Sequence, residues 1–392
     1  MSSRFLRSRP LHRAAMSAAA VVSSSSPLPT KRASTAHHGK GAFINPWPSF
    51  TNHTAGDMFK MVRTGAMSMG TNSTPAEISK RIPVRMPTWG NEAAPSAIKS
   101  TWLGHACFLL EMPRDPAAHG ERGVRVLFDP VFSHRCSPVQ FMGPARFTEA
   151  PCKIEEIPEV DAIVISHNHY DHMDTHTLTT LFERPGPKPH IFAPLGNEAY
   201  FKSLGCIPNG HMHTLDWWGA AKVDTAHGTV DVHCTPCQHF TGRGIGDRFK
   251  TLWASWAIVA PGEHGKKVWF GGDTGYRSVP QGADEDKVPT CPAFKEIGEA
   301  FGGFDFAMIP IGAYEPRWFM SPIHCAPQDS VRVFQDIRAK RATGMHWGTW
   351  VLTTESIFEP PTKLREEAAK LGLEPGAFDA CKEIGETVVV DA

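Results

Sequence analysis

The sequence predicts an α/β fold in which two mixed sheets pack together with helices outside. Two observations predict it. Short β-branched runs come before helical segments, and this order repeats in two similar halves of the chain. Histidine and aspartate residues then recur just past four of those runs.

Residues 1–40 differ from the rest. Arg4, Arg7, Arg9 and Arg13 are basic, Ser and Ala dominate, and no Asp or Glu precedes Asp57. That composition fits a mitochondrial transit peptide and equally a disordered tail. Residues 41–97, rich in Pro, Gly and aromatics, read as an N-terminal arm packed on the main domain. Within the arm a short helix is expected over 58–69, carrying Met58, Phe59, Met61, Met67 and Met69. Such a surface suits core packing or, alternatively, lipid.

The main domain is expected to span 98–392. Ile98 to Leu103, Cys107 to Met112 and Val124 to Phe128 read as strands, with Gly104-His105 as a turn and Asp129-Pro130 closing the third. A Pro-rich loop through Arg135, Gln140 and Arg146 leads to a strand over 161–166. A helix over 175–182, strands Ile191 to Ala193 and His213 to Leu215, and a helix over 196–204 between them complete this half. In the second half, Val230 to Cys234, Ala254 to Val259, Val268 to Phe270, Phe304 to Pro310 and Ala342 to Met345 read as strands. Helices are expected over 328–340 and 364–371, and a last strand over 386–390.

The stretch His167-Asn168-His169-Tyr170-Asp171-His172 follows the 161–166 strand. Residues two apart in extended chain face the same side, so His167 and His169 can share one ion. Once the chain turns, Asp171 and His172 face a second position. Imidazole and carboxylate suit zinc, with iron and manganese as alternatives. A lone buried His is usually core, but three His and one Asp in six residues read as a ligand cluster. His239, Asp273 and His346 stand at the other strand ends, Asp273 inside Gly271-Gly272-Asp273-Thr274-Gly275.

Totals bound the function. Lys+Arg and Asp+Glu are 40 each, which argues against nucleic-acid binding through bulk charge. Nine Cys at unpaired spacings suggest reduced thiols and an intracellular compartment. Cys234 and Cys237 have no second such pair to make a zinc ribbon, so they read as a strand end and turn. No run of 18 apolar residues exists to cross a membrane as a helix.

The His-x-His-x-Asp-His pattern, followed by a distant His, an Asp and a His, resembles the metallo-β-lactamase superfamily. Thr101 to His105, Ser166 to His172, Leu215 to Trp218, Gly271 to Tyr276, Ile311 to Met320 and His346 to Thr349 resemble more closely the N-acylphosphatidylethanolamine-hydrolysing phospholipase D family. The resemblance runs from about residue 43 to the C-terminus. It implies a four-layer αββα sandwich holding two zinc ions per chain. His167, His169 and His239 would hold one, and Asp171, His172 and His346 the other, with Asp273 between. Two such ions give a nucleophile near neutral pH and clamp a displacement at phosphorus. Asp171 and His324 would be catalytic, and Gln140, His324 and Arg243 would meet the substrate phosphate. Around Arg243 the wording Thr241-Gly-Arg-Gly-Ile-Gly-Asp247 departs from the family's. The implied reaction hydrolyses N-acylphosphatidylethanolamine to an N-acylethanolamine and phosphatidic acid. A phospholipid substrate implies a peripheral membrane contact, and the family carries an expectation of a homodimer. The alternatives are another hydrolase on this fold, a lactonase or thioesterase, and a non-catalytic protein stabilised by metal. The last is disfavoured because all seven ligand positions are filled.

Overall fold

The computed structural model describes residues 20–25, 35–63, 71, 73–244, 246–262 and 264–391. Its first strands are β1 (Val21–Ser24), β2 (Ile98–Trp102), β3 (Phe108–Glu111), β4 (Arg125–Phe128), β5 (Ala162–Val164), β6 (His190–Pro194) and β7 (Met212–Leu215). Then come β8 (Ala220–Thr225), β9 (Gly228–Thr235), β10 (Ser255–Val259), β11 (Lys267–Phe270), β12 (Phe306–Pro310), β13 (Ala342–Met345), β14 (Phe378–Ala380) and β15 (Thr387–Val390). One sheet runs β1-β8-β9-β10-β11-β12-β13-β14 and the other β15-β2-β3-β4-β5-β6-β7. Each ends in four parallel strands, β11 to β14 and β4 to β7, reached through antiparallel ones. The helices are α1 (Ala55–Arg63), α2 (Pro75–Arg81), α3 (Thr175–Glu183), α4 (Glu198–Leu204), α5 (Ala293–Phe301), α6 (Arg317–Met320), α7 (Pro327–Asp336) and α8 (Glu359–Lys370).

Alternation along the strands sorts the core. Phe108, Leu110, Val126, Phe128, Ala162 and Val164 face the other sheet and share one cluster with Val232, Trp256, Val268, Phe270 and Met308. Their neighbours Leu109, Leu127 and Ile163 point the other way, under Leu178, Leu181 and Phe182 of α3 and Phe201 of α4. Phe128 stacks on Phe270 across the sheets, ring centroids 4.5 Å apart. The Trp256 indole donates to the Ile165 carbonyl at 3.1 Å, fastening the first sheet to the strand of the second that feeds His167. On the far side, α5 and α7 cover the first sheet. Gly298 lets them touch, since a Cβ there would lie 2.2 Å from the Asp336 carbonyl oxygen. The layers are therefore helices, sheet, sheet, helices.

The strands differ from the sequence reading in instructive places. Residues 21–24, assigned to a tail or transit peptide, instead form β1, an edge strand pairing Val22 with Val223 of β8. It covers the open hydrogen-bonding edge that β8 would otherwise present. Residues 35–40 of that tail are also described, and 1–19 and 26–34 lie outside the described residues. The arm helix starts earlier than expected, at Ala55, because Thr54 and Asp57 bond each other across its first turn. Of its apolar residues, Met61 is buried, Met58 and Phe59 are exposed, and Met67 and Met69 lie outside the described residues. Strands β8 and β14 and helix α5 are not anticipated by the sequence reading, although α5 buries Phe294, Ile297 and Phe301 at helical spacing. Helix α7 ends at Asp336 rather than Lys340, and α8 begins at Glu359, with Pro360 and Pro361 in its first turn where no N–H is needed.

A buried ion network ties the loop after β12 to α7. Asp329 is fully buried; its Oδ1 accepts from Arg277 Nε at 2.8 Å and its Oδ2 meets Arg317 Nη2 at 2.6 Å. Arg317 also reaches Glu285 at 3.0 Å. Arg317 is thus held in a structural ion network. Asp329→Leu would leave two arginines without their central anion. We expect a loss of about 3–5 kcal/mol, read as a lowered urea midpoint.

Candidate metal centre

Five chain segments deliver side chains to one end of the sandwich: those after β2, β5, β9, β11 and β13. Four of them follow the carboxyl ends of strands facing the core, the edge where α/β sheets place their ligands. His167, His169 and His239 bring three imidazole nitrogens within 4.8 Å of one another. His167 Nε2 lies 2.8 Å and His239 Nε2 3.4 Å from His169 Nδ1. Asp171, His172 and His346 form a second group, joined by His105. Asp171 Oδ2 is 3.5 Å from both His172 Nε2 and His346 Nε2.

Asp273 lies between the groups. Its Oδ1 is 3.0 Å from His346 Nε2, and its Oδ2 is 3.1 Å from His172, 3.7 Å from His239 and 3.8 Å from His167. Gly272 makes this approach possible. Gly272 has φ 57°, and a Cβ there would lie 2.6 Å from Ser166 Cβ, on the strand end that carries His167.

Outer residues hold the ligands. Asp129 Oδ2 accepts from His172 Nδ1 at 2.7 Å, while its Oδ1 accepts the Ser166 N–H at 2.7 Å. His239 Nδ1 donates to the Ile323 carbonyl at 2.8 Å, and His105 Nε2 donates to Asp171 at 3.0 Å. His105, Asp129 and His346 have φ 51°, 39° and 63°, in the left-handed region, which Asp and His enter more readily than most residues. Neither His105 nor Asp129 was singled out from sequence. The one available signal was that Asp129, like the ligands, stands directly after a strand.

The donor set fits divalent metal. His172 Nε2, His346 Nε2 and Asp273 Oδ1 are buried without a hydrogen-bond partner, although each is of a type that binds zinc. The charges agree. Burial would raise the Asp171 and Asp273 carboxyls, but the neighbouring His172, and for Asp273 also His346, hold them well below the ordinary range. Burial opposes protonation of His346, yet Asp273 and Asp171 draw it up to about 9. Burial wins at His167 and His239, which are pushed well down, and at His169 and His324, both lowered to about 4. Two buried carboxylates demand positive charge, and a divalent cation meets that demand while leaving every imidazole neutral.

The remaining expected residues sit around this cluster. His324 Nδ1 is 3.9 Å from Asp273 Oδ2, buried and without a hydrogen-bond partner. Gln140 is exposed and bonds the Arg135 backbone through both ends of its amide, at 2.9 and 3.0 Å. Arg243 Nη1 donates to the Asn168 and Met173 carbonyls at 3.0 and 2.8 Å, and its guanidinium stacks 3.9 Å from the Tyr170 ring centre. It braces both sides of the His169 to His172 turn. Gln140, Arg243 and Tyr170 line one wall of a cleft of about 600 Å³, with His134, Asp174 and His176. Cys234 and Cys237 are buried free thiols pushed well above the ordinary range by burial, as expected of a strand end and turn.

Asp129 orients His172 without belonging to either ligand group just described. Asp129→Asn is therefore expected to weaken metal binding about 10–100-fold, measured by competition with a chromophoric chelator.

Comparison with known proteins agrees with this geometry. The family model described as "Beta-lactamase superfamily domain" matches residues 124–347. "N-acyl-phosphatidylethanolamine-hydrolyzing phospholipase D 1" of Caenorhabditis elegans is 35% identical over 351 residues, covering 87% of this chain and 91% of that protein. The Saccharomyces cerevisiae protein named "N-acyl-phosphatidylethanolamine-hydrolyzing phospholipase D, mitochondrial" is 29% identical, covering 90% of this chain and 76% of that one. The solved isothiocyanate hydrolase from Delia radicum gut bacteria shares the fold, with TM-score 0.50 and 18% identity over 75% of this chain and all of its own. The αββα layering, the strand-end histidines and these relatives together show that the chain belongs to the metallo-β-lactamase superfamily of metal-dependent hydrolases, in the branch that contains the N-acyl-phosphatidylethanolamine-hydrolysing phospholipases D.

Proposed function

We propose that the protein is a zinc-dependent phosphodiesterase of the phospholipase D type, hydrolysing N-acylphosphatidylethanolamine to an N-acylethanolamine and phosphatidic acid. The observation that carries the reading is Asp273, set between two three-residue ligand groups. The 35% identity to the Caenorhabditis elegans enzyme across most of both chains supports the substrate class. Water adds to phosphorus, and the phosphorus–oxygen bond to the ethanolamine breaks.

His167, His169 and His239 would hold one zinc ion and Asp171, His172 and His346 another, with Asp273 between, and the pair would supply a nucleophile near neutral pH and a clamp on the phosphate oxygens. The chain's own groups do the rest. Asp171, fixed by the His105 hydrogen bond at 3.0 Å, orients the attacking water and accepts its proton. His324, with Nδ1 buried, unpartnered and 3.9 Å from Asp273, is placed to hydrogen-bond the phosphate, and the proton taken by Asp171 passes to the leaving oxygen. Gln140 and Arg243 act from the cleft wall, Arg243 by holding the metal loop in place.

The membrane contact belongs to the same proposal. Phe141 is 83% exposed and Met142 64%, directly after Gln140 on the loop that walls the cleft. Aromatic and methionine side chains there suit an adaptable apolar partner such as lipid acyl chains. No helix among the described residues is long and apolar enough to cross a membrane, so attachment is through such surface. The acid-free N-terminus and the name of the yeast relative support a mitochondrial location.

Purified protein given N-acylphosphatidylethanolamine in detergent micelles should release N-acylethanolamine, with loss of release on chelation and in His167→Ala. Asp171→Asn should lower kcat about 10²–10⁴-fold, with the zinc content of the variant measured beside that of the wild type. Turnover of lactones or thioesters with none of the phospholipid would overturn the reading. Phe141→Ser with Met142→Ser should weaken binding to phospholipid vesicles, measured by sedimentation, and leave hydrolysis of a water-soluble phosphodiester unchanged.

A further inference from the structure

A second histidine–carboxylate cluster stands apart from the catalytic one. His37 and His38, from the N-terminal segment, both aim Nε2 at Asp216, at the end of β7. His37 Nε2 lies 2.6 Å from Oδ1 and His38 Nε2 2.7 Å from Oδ2, and one ligand atom from each residue falls within 4.8 Å of the others. Adjacent residues in an ordinary strand point to opposite faces. Here a turn over 35–37 sets the two rings 4.5 Å apart at 66°, so that their nitrogens converge.

The site has a rigid floor and an open side. His37 is 3% exposed and stacks on Trp217, centroids 4.2 Å apart, while Trp217 in turn stacks on Trp47 and donates to the Trp253 carbonyl at 2.6 Å. Asp216 Oδ1 also accepts the Trp217 N–H at 2.8 Å, which fixes the carboxylate. The His38 side chain is 37% exposed and that of Asp216 31%. Two imidazoles and one carboxylate, with solvent on the fourth side, form a recognised zinc donor set that leaves one position for water.

We propose that His37, His38 and Asp216 form a third, peripheral site for a zinc-like transition-metal ion. The ion takes the Nε2 lone pair of each imidazole, whose single ring proton then sits on Nδ1, in place of the two hydrogen bonds to Asp216. It pins a segment to a residue 178 or 179 positions away. That segment runs directly into Phe43, whose N–H bonds the Phe249 carbonyl, and Asn45, whose amide donates to the carbonyl of His239 at 2.8 Å. The peripheral ion thus steadies the backbone of a catalytic ligand without taking part in chemistry. The inference stands whether or not the substrate is a phospholipid.

The test is zinc stoichiometry of the full chain after dialysis at fixed free zinc, measured by mass spectrometry of the metal. Wild-type protein should hold one more zinc per chain than His38→Gln or Asp216→Asn. His38 is exposed, and glutamine keeps a hydrogen-bond donor for Asp216, so this variant retains the fold. In His167→Ala the peripheral zinc should remain, and adding His38→Gln to it should remove one equivalent. Equal zinc content in wild type, His38→Gln and Asp216→Asn would overturn the proposal and leave three hydrogen-bonded side chains only.

Discussion

The constraint on which the rest depends is the burial of Asp273. A carboxylate 2% exposed is stable only if cations or strong donors surround it. Here its oxygens lie within 3.9 Å of five imidazoles, those of His167, His172, His239, His324 and His346. Those imidazoles come from four segments, so the carboxylate is satisfied only when both sheets are packed with their strand ends aligned. Stability and chemistry therefore rest on the same contacts. The charge pattern that draws protons onto His172 and His346 is also the one that favours divalent cations.

Holding the strand ends together requires backbone that strands do not provide. His105, Asp129 and His346 are left-handed, and such positions cost about 1–3 kcal/mol each. They persist because the surroundings fix them. Asp129 is locked by the Ser166 N–H and hydroxyl, and Trp102 Nε1 donates to the His105 carbonyl at 2.9 Å. Beneath them, the Phe128–Phe270 stack and the Trp256 bond keep the two sheets in register. The ligand geometry is thus set by rigid scaffold, and the loops beyond it, such as that bearing Phe141, are left to meet the outside.

The N-terminal arm is part of that scaffold. Trp47 is buried, and Ser49 Oγ donates to Gln238 Oε1 at 2.6 Å, beside His239. Together with the Asn45 contact, these bonds make a segment nearly 200 residues distant in sequence a support for one ligand. Packing and exposure divide along this stretch: Trp47 and Met61 face inward, while Met58 and Phe59 face out.

Much of the centre is legible in the chain because its information is local. His167, His169, Asp171 and His172 are consecutive enough that period-two geometry and one turn explain how their donor atoms converge. Alternating apolar residues likewise mark the strands, and weak runs such as Ala220–Thr225 escape because nothing in their own side chains dictates pairing. The outer residues are a different matter. His105 reads as a turn, Asp129 as a strand end, and His37 as part of a tail, yet each bonds a residue far along the chain. The sequence by itself determined which residue types can hold metal and roughly where the strands lie. Only the tertiary structure decided which carboxylate orients which imidazole and that Arg243 braces the loop, because a hydrogen bond between distant segments depends on packed positions that no local pattern encodes.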